Sequence, residues 1–139
     1  MYTATKHYEV GFSTAFRQWR STSHCRFVHG YGLKFTFEFQ AETLDDNNWV
    51  VDFGSLNGLK QILEQYFDHK LIIQEDDPLL AQFQNLHAKG ACDLVIMKNV
   101  SCEAFARFAY AIASVWSGIS IHKVTVHENN ANSASYSEG

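Results

Sequence analysis

The densest concentration of reactive side chains is His24-Cys25-Arg26-Phe27-Val28-His29-Gly30-Tyr31-Gly32. Read as a strand, alternate positions share one face, so Cys25, His29 and Tyr31 project together. A thiol, an imidazole and a phenol on one surface supply a proton acceptor, a metal ligand and a proton donor. The thiol is an effective base or nucleophile only where a cation, a metal or an imidazolium lowers its pKa. The same residues also fit a hydrogen-bonded structural histidine beside a buried cysteine, and spacing alone does not separate the two readings. A second pair, Asp68-His69, follows a helical segment. A carboxylate beside an imidazole fixes its tautomer and raises its basicity. Sequence neighbours seldom bond each other in a triad, so the expected third partner is a separate group such as Cys25. The alternative is a polar helix C-terminus, where a cationic histidine is favourable. Glu128 closes an apolar alternating run. A carboxylate there can accept two parallel hydrogen bonds from the amidine-like edge of a flat heterocycle, or can simply be solvated. Ser101-Cys102-Glu103 reads as a capping serine with an acidic first turn. Cys92 and Cys102 read as buried small apolar residues.

The elements that must position these groups follow from periodicity. Residues 5–16 and 25–42 are rich in aromatic and β-branched types. In the second stretch Phe35, Phe37 and Phe39 alternate with Lys34, Thr36 and Glu38, the signature of a strand with one buried face. The two stretches are expected to pair antiparallel. Residues 43–48, TLDDNN, form a turn cluster. A helix is expected at about 55–67, with Ser55 as its cap and Leu56, Leu59, Ile62, Leu63 and Tyr66 inward. Residues 68–92 read as irregular, with a short helix from Leu79 to Leu86. DLVIMK at 93–98 is a buried strand. A helix over 101–117 is expected to turn Ala104, Phe105, Phe108, Ala109, Ile112 and Val115 to the core and to end at Gly118. IHKVTVHE at 121–128 is the last strand, and the small polar tail from Asn129 has the composition of a disordered segment. Strands and helices do not alternate strictly, so the order points to an α+β domain, an antiparallel sheet with helices on one face.

Composition sets the outer bounds. A chain of 139 residues fits one domain. The net charge of −4 and pI of about 5.9 disfavour a broad nucleic-acid surface. Only a local basic group, Arg17, Arg20 and Arg26, stands out as able to hold an anion. Three cysteines without CxxC spacing fit reduced thiols in a cytoplasmic protein. Neither a secretory signal nor a membrane span is expected from the residues present.

Together these pieces resemble the 6-pyruvoyl-tetrahydropterin synthase and 6-carboxy-tetrahydropterin synthase family. Phe12-Ser13-Thr14-Ala15-Phe16 resembles its F-x-A-A-H strand, and Cys25-x3-His29-Gly30-Tyr31 its C-x3-H-G-H. Trp49-Val50-Val51-Asp52-Phe53 resembles V-x-D-F, and Asp68-His69 stands in place of L-D-H. Asn99-Val100-Ser101-Cys102-Glu103 resembles N-P-T-x-E, and Val126-His127-Glu128, with Tyr136 eight residues on, resembles V-x-E. The motifs occur in the family's order over residues 5–136. The resemblance implies a T-fold, an antiparallel sheet with two helices on one face, whose subunits join their sheets into a barrel, typically a hexamer built from two trimers. The tail after Glu128 would then be ordered near a subunit interface.

Chemically, the resemblance implies a lyase acting on 7,8-dihydroneopterin triphosphate with triphosphate elimination, in pterin or queuosine-type biosynthesis. Cys25 would be the general base or acid, with Asp68 and His69 as its relay partners. Glu128 would anchor the amino-pyrimidine edge, and Ser101 and Glu103 would contact the pterin. The family holds zinc with three histidines. Here those positions carry Phe16, His29 and Tyr31, so His29 is the one retained ligand and His24 the substitute within reach in sequence. Zinc would acidify the substrate's side-chain hydroxyl and stabilise the developing enolate. The alternative expectation is a non-catalytic pterin-binding homologue that has lost the zinc site.

Overall fold

The computed structural model describes residues 1–139. Two long strands form its spine, β1 (Tyr2–Phe16) and β2 (His29–Ala41), paired antiparallel. The alternation read from the sequence holds. Leu33, Phe35, Phe37 and Phe39 are buried, while Lys34, Thr36 and Glu38 face the other way. A bulge between Tyr8 and Phe12 inserts two residues against β2. Two extra residues leave the inward parity unchanged, so Tyr8, Phe12 and Phe16 all reach the core.

The remaining elements are α1 (Asn57–Phe67), β3 (Lys70–Gln74), α2 (Leu80–Ala88), β4 (Leu94–Met97), α3 (Cys102–Ser117), β5 (Ile121–His127) and β6 (Ser133–Tyr136). Strand order in the sheet is β4-β3-β1-β2-β5-β6. The block β1-β2-β5-β6 is antiparallel as expected, but β1-β3 and β3-β4 pair parallel, so the whole sheet is mixed. Helices α1 and α3 cover one face. Their Leu59, Leu63, Phe67, Phe105, Ala106, Ala109 and Ala113 close over the phenylalanine stripe of β2 in a single core.

Several sequence expectations shift. Residues 70–74 are strand rather than irregular, and the tail is not disordered, since β6 pairs with β5. The inward stripe of α3 is Cys102, Phe105, Ala106, Ala109 and Ala113. Val115, expected inside, is 88% exposed. The entry to α1 is capped by Asp52, whose carboxylate accepts from Gly54 N at 2.9 Å, while Ser55 donates its hydroxyl to Asp52 O at 2.7 Å. Gly118 does end α3, in the left-handed region at φ 64°, where a residue without Cβ is favoured. No helix is long and apolar enough to cross a membrane.

Candidate active site

The candidate residues divide between the two faces of the sheet. On the helix-covered face, β1 and β2 end side by side, with Phe16 paired to His29. Phe16, His29 and Tyr31 form a triangle, with ring centroids 4.8, 5.5 and 6.0 Å apart, closed from above by Phe105 at 5.2 Å from Phe16. Gly30 separates the two site residues because nothing larger fits. A Cβ there would sit 2.7 Å from Thr14 O across the strand pair.

Cys25 is not on the strand, as the sequence suggested. It lies in a short 3-10 turn, His24–Arg26, capped by Ser23. The turn nevertheless carries it to the same neighbourhood. Burial pushes the Tyr31 phenol above its usual pKa, and the charges of Glu128, Cys25 and Cys102 add to the shift. That phenol is therefore a proton donor at neutral pH. Cys102, expected as a buried apolar residue, is buried at the start of α3 and bonds Val126 O at 3.2 Å. Burial, with Glu128 and Glu103 nearby, pushes its thiol up to about 12, so it stays protonated and unreactive. Cys92 is only half-buried.

Glu128 directly follows β5, its N–H donating to Asn132 O at 3.0 Å. Ser101 caps α3, accepting from Ala104 N at 3.0 Å, with exposed Glu103 in the first turn. Capping occupies an acceptor lone pair of Ser101 and leaves its O–H free to donate. His29 Nδ1 lies 2.8 Å from Phe27 O. A carbonyl only accepts, so Nδ1 carries a proton, and Nε2 is left without a protein partner.

Asp68 and His69 sit on the opposite face, and the expectation that these sequence neighbours would not bond each other fails. Asp68 Oδ2 lies 3.1 Å from His69 Nδ1, while Oδ1 accepts from Ser13 N at 3.1 Å and His69 N donates to Ser13 O at 2.6 Å. His69 adopts φ 57°, a strained region for a non-glycine residue. That twist lets neighbouring side chains meet. It fixes the imidazole with Nδ1 toward the carboxylate and Nε2 free, on a side chain 82% exposed. The pair borders a cleft of about 570 Å³ floored by small residues, among them Ser13, Ala15, Gly30 and Gly32.

The arginines singled out by charge are engaged. Arg17 makes two hydrogen bonds to Asp77, at 2.6 and 2.8 Å, and Arg20 pairs with Asp76. Arg26 donates to the carbonyls of Thr22 and Ser23. Trp19 adds a bond to Asp76. These contacts pin the 17–24 loop, and with it the Cys25 turn, to the loop after β3.

The fit to zinc can be tested on geometry. Three imidazoles on one tetrahedral zinc, with bonds of about 2 Å, hold their ring centroids roughly 5 Å apart. The Phe16, His29 and Tyr31 triangle keeps nearly that spacing, yet Phe16 has no ligand atom. No three His, Cys, Asp or Glu side chains come together at metal-binding separations, so His24 does not complete a set with His29. The residues present do not fit a three-histidine zinc site.

A sheet of this topology with two helices over an aromatic face defines an α+β domain of the T-fold class. The family model for 6-pyruvoyl tetrahydropterin synthase matches residues 6–139, and the chain belongs to that family. It is 25% identical over 138 residues to a 6-carboxy-5,6,7,8-tetrahydropterin synthase of Aquifex aeolicus, covering 92% of this chain and 85% of that one. A Rickettsia conorii protein of the same name is 30% identical over 74 residues, a match that spans about half of each chain, 52% and 54%. Two solved structures share the fold. An uncharacterized protein from Wolinella succinogenes has TM-score 0.84 at 20% identity, covering 99% and 98% of the two chains. Caenorhabditis elegans 6-pyruvoyl tetrahydropterin synthase has 0.67 at 18%, covering 100% and 98%.

Proposed function

We propose that the chain is a 6-carboxy-/6-pyruvoyl-tetrahydropterin synthase-like lyase that binds 7,8-dihydroneopterin triphosphate and eliminates triphosphate, assembled as a homo-oligomer. The observation that carries this reading is the Asp68–His69 pair, bonded at 3.1 Å with Nε2 left free on an exposed side chain. This is an imidazole prepared for proton transfer that serves no purpose in packing. Within one protomer it lies across the sheet from Cys25 and Glu128. A complete Cys-Asp-His set therefore needs a second copy, whose Cys25 turn would meet His69. In that arrangement Glu128 accepts from the amino-pyrimidine edge, Ser101 and Glu103 contact the ring, and Cys25 and His69 exchange protons with the side chain. Tyr31 donates a hydrogen bond where the family has a metal ligand. Zinc, when bound in the family, supplies acidification of the substrate hydroxyl. This chain's residues give it no three-ligand seat.

The Phe16 substitution supports a second reading, a pterin-binding homologue without turnover. One experiment separates the two. Purified protein is incubated with dihydroneopterin triphosphate, with and without added zinc, and triphosphate release is measured beside recovery of the pterin. Release that His69→Ala abolishes supports the lyase. Recovery of unchanged pterin, bound in a manner sensitive to Glu128→Ala, supports the second reading. Binding indifferent to Glu128→Ala defeats both.

A further inference from the structure

The helix-free face carries a polar cluster that the reading above does not use. Strand register sets His7 of β1 opposite Thr36 of β2, and Lys34 of β2 opposite His127 of β5. Thr36 Oγ1 lies 2.6 Å from His7 Nδ1 and 3.3 Å from His127 Nε2. The two imidazoles meet edge to face at 5.8 Å. With Gly32, Asn129 and Asn130, the histidines and Lys34 line a cavity of about 260 Å³ that contains no apolar side chain and no carboxylate. The nearest carboxylate along β2, Glu38, is taken by Lys123 at 3.1 Å. Lys34 makes no ion pair within the chain.

Three protonatable nitrogen groups without a counter-charge repel one another. Burial, then His7 and Lys34, holds the His127 pKa below its usual value. No carboxylate acts on it from any packed strand: the charged groups facing it are His7 from β1 and Lys34 from β2, and the following loop contributes only Asn129 and Asn130. The Thr36 hydroxyl has one proton and two lone pairs. When both imidazoles are protonated, each can donate to one lone pair, which frees the hydroxyl proton to turn outward. His7 Nε2 and His127 Nδ1, which have no protein partner, are then both donors. The protonated cluster is a set of donors without an acceptor, and that suits an oxyanion with several lone-pair oxygens. The cavity is smaller than those that enclose a drug-sized heterocycle, about 300 Å³ and above, and is of a size for a phosphate group.

The geometry points to a phosphate-binding site on the helix-free face, built from His7, Lys34 and His127 with Thr36 tying the two imidazoles together, that takes up a free or esterified phosphate together with protons. It requires neither Cys25 nor Glu128 and stands apart from the pterin reading. The test is calorimetric titration of the full chain with orthophosphate, tripolyphosphate and phenyl phosphate at pH of about 6 and about 8, in buffers of different ionisation heat, with the histidine signals followed by NMR. Binding is expected to be roughly tenfold tighter at the lower pH, with proton uptake and movement of the His7 and His127 signals. Lys34→Gln and His127→Gln are each expected to weaken it by roughly tenfold or more, and Lys34→Arg, which keeps the charge, to retain most of it and to stand in if Lys34→Gln does not fold. Tighter binding of tripolyphosphate assigns a free oligophosphate, tighter binding of phenyl phosphate an ester, and either supports the site. Binding that is indifferent to pH, or equally strong in both glutamine variants, overturns it. Failure of pterin binding with phosphate binding intact removes only the earlier reading.

Discussion

The two faces of this sheet treat polar chemistry in opposite ways. Beneath the helices, Tyr31 and Cys102 sit among Phe16, Phe105 and Phe67, and burial raises both their pKa values. Their protons are held. On the open face, His7, Thr36 and His127 bond across three strands, and Asp68 orients an exposed His69. There the imidazoles bond to polar side chains and are not packed among phenylalanine rings. The difference follows from what covers each strand face, since adjacent residues of one strand supply both. Val126 lies in the core while His127 lines the polar cavity. Burial decides which side chains position a ligand and which can carry protons.

The sharpest way to break the comparison is to remove the cover. Phe105 is fully buried and meets both Phe16 and Phe67 edge-on, at 5.2 and 5.5 Å. Phe105→Ala leaves a cavity under the site, and a loss of about 3–5 kcal/mol in urea unfolding is expected. Thr36→Val on the open face removes one hydroxyl, and its effect on stability should be no more than about 1 kcal/mol. If the two variants lose similar stability, the contrast between the faces is wrong.

How much of this was legible depended on whether a signal was local. The stripe of Phe35, Phe37 and Phe39 announced β2, and Gly118 announced the end of α3, because both are consequences of one segment's own period or backbone. Strand β3 was hidden. It lies between β1 and β4, parallel to both, so Leu71, Ile72 and Ile73 are all buried, and a strand covered on both faces shows no alternation. Strand β6 was hidden for the opposite reason. Its SASY is polar because it forms an edge, and pairing to β5 rather than apolar burial holds it. Among the candidate residues, the meeting of Phe16, His29 and Tyr31 followed from strand alternation and order, whereas Cys25, expected on the strand, lies in a turn. The Asp68–His69 bond was not legible, since it depends on a positive φ at His69 and on the backbone of Ser13, 55 residues away. The His7–Thr36–His127 cluster depends on a bond between residues 91 apart, and only strand register brings its members together.

A smaller perturbation sharpens the comparison on the open face. His69 holds φ 57°, at a cost of about 1 kcal/mol for a residue with a Cβ. His69→Gly relieves that strain and also loosens the unfolded chain, which offsets part of the gain. Stability is therefore expected to stay level or to rise by up to about 1 kcal/mol in urea unfolding. Triphosphate release, under the lyase reading, is expected to fall by roughly a hundredfold or more through loss of the proton carrier. A variant that loses both stability and activity would mean that the imidazole is structural.

The subtlest effect is the response of stability to pH. The folded pKa of His127 lies below its usual 6.5, because of burial, His7 and Lys34. Between the folded value and 6.5 this residue binds more protons in the unfolded chain than in the native one, so its contribution to stability rises with pH through that window. Acidification from neutral pH through 6.5 should lower the urea midpoint of the native protein. Once both states are protonated, below the folded value, this contribution stops changing. His127→Gln removes the titrating group, so its curve should be flatter over the same window. Phosphate gives a further check. An anion that binds the protonated cluster raises the folded pKa toward or past the unfolded one, so added phosphate should flatten the native curve and leave that of His127→Gln unchanged. A native midpoint that climbs on acidification would show that a carboxylate, rather than Lys34 and His7, governs the open face.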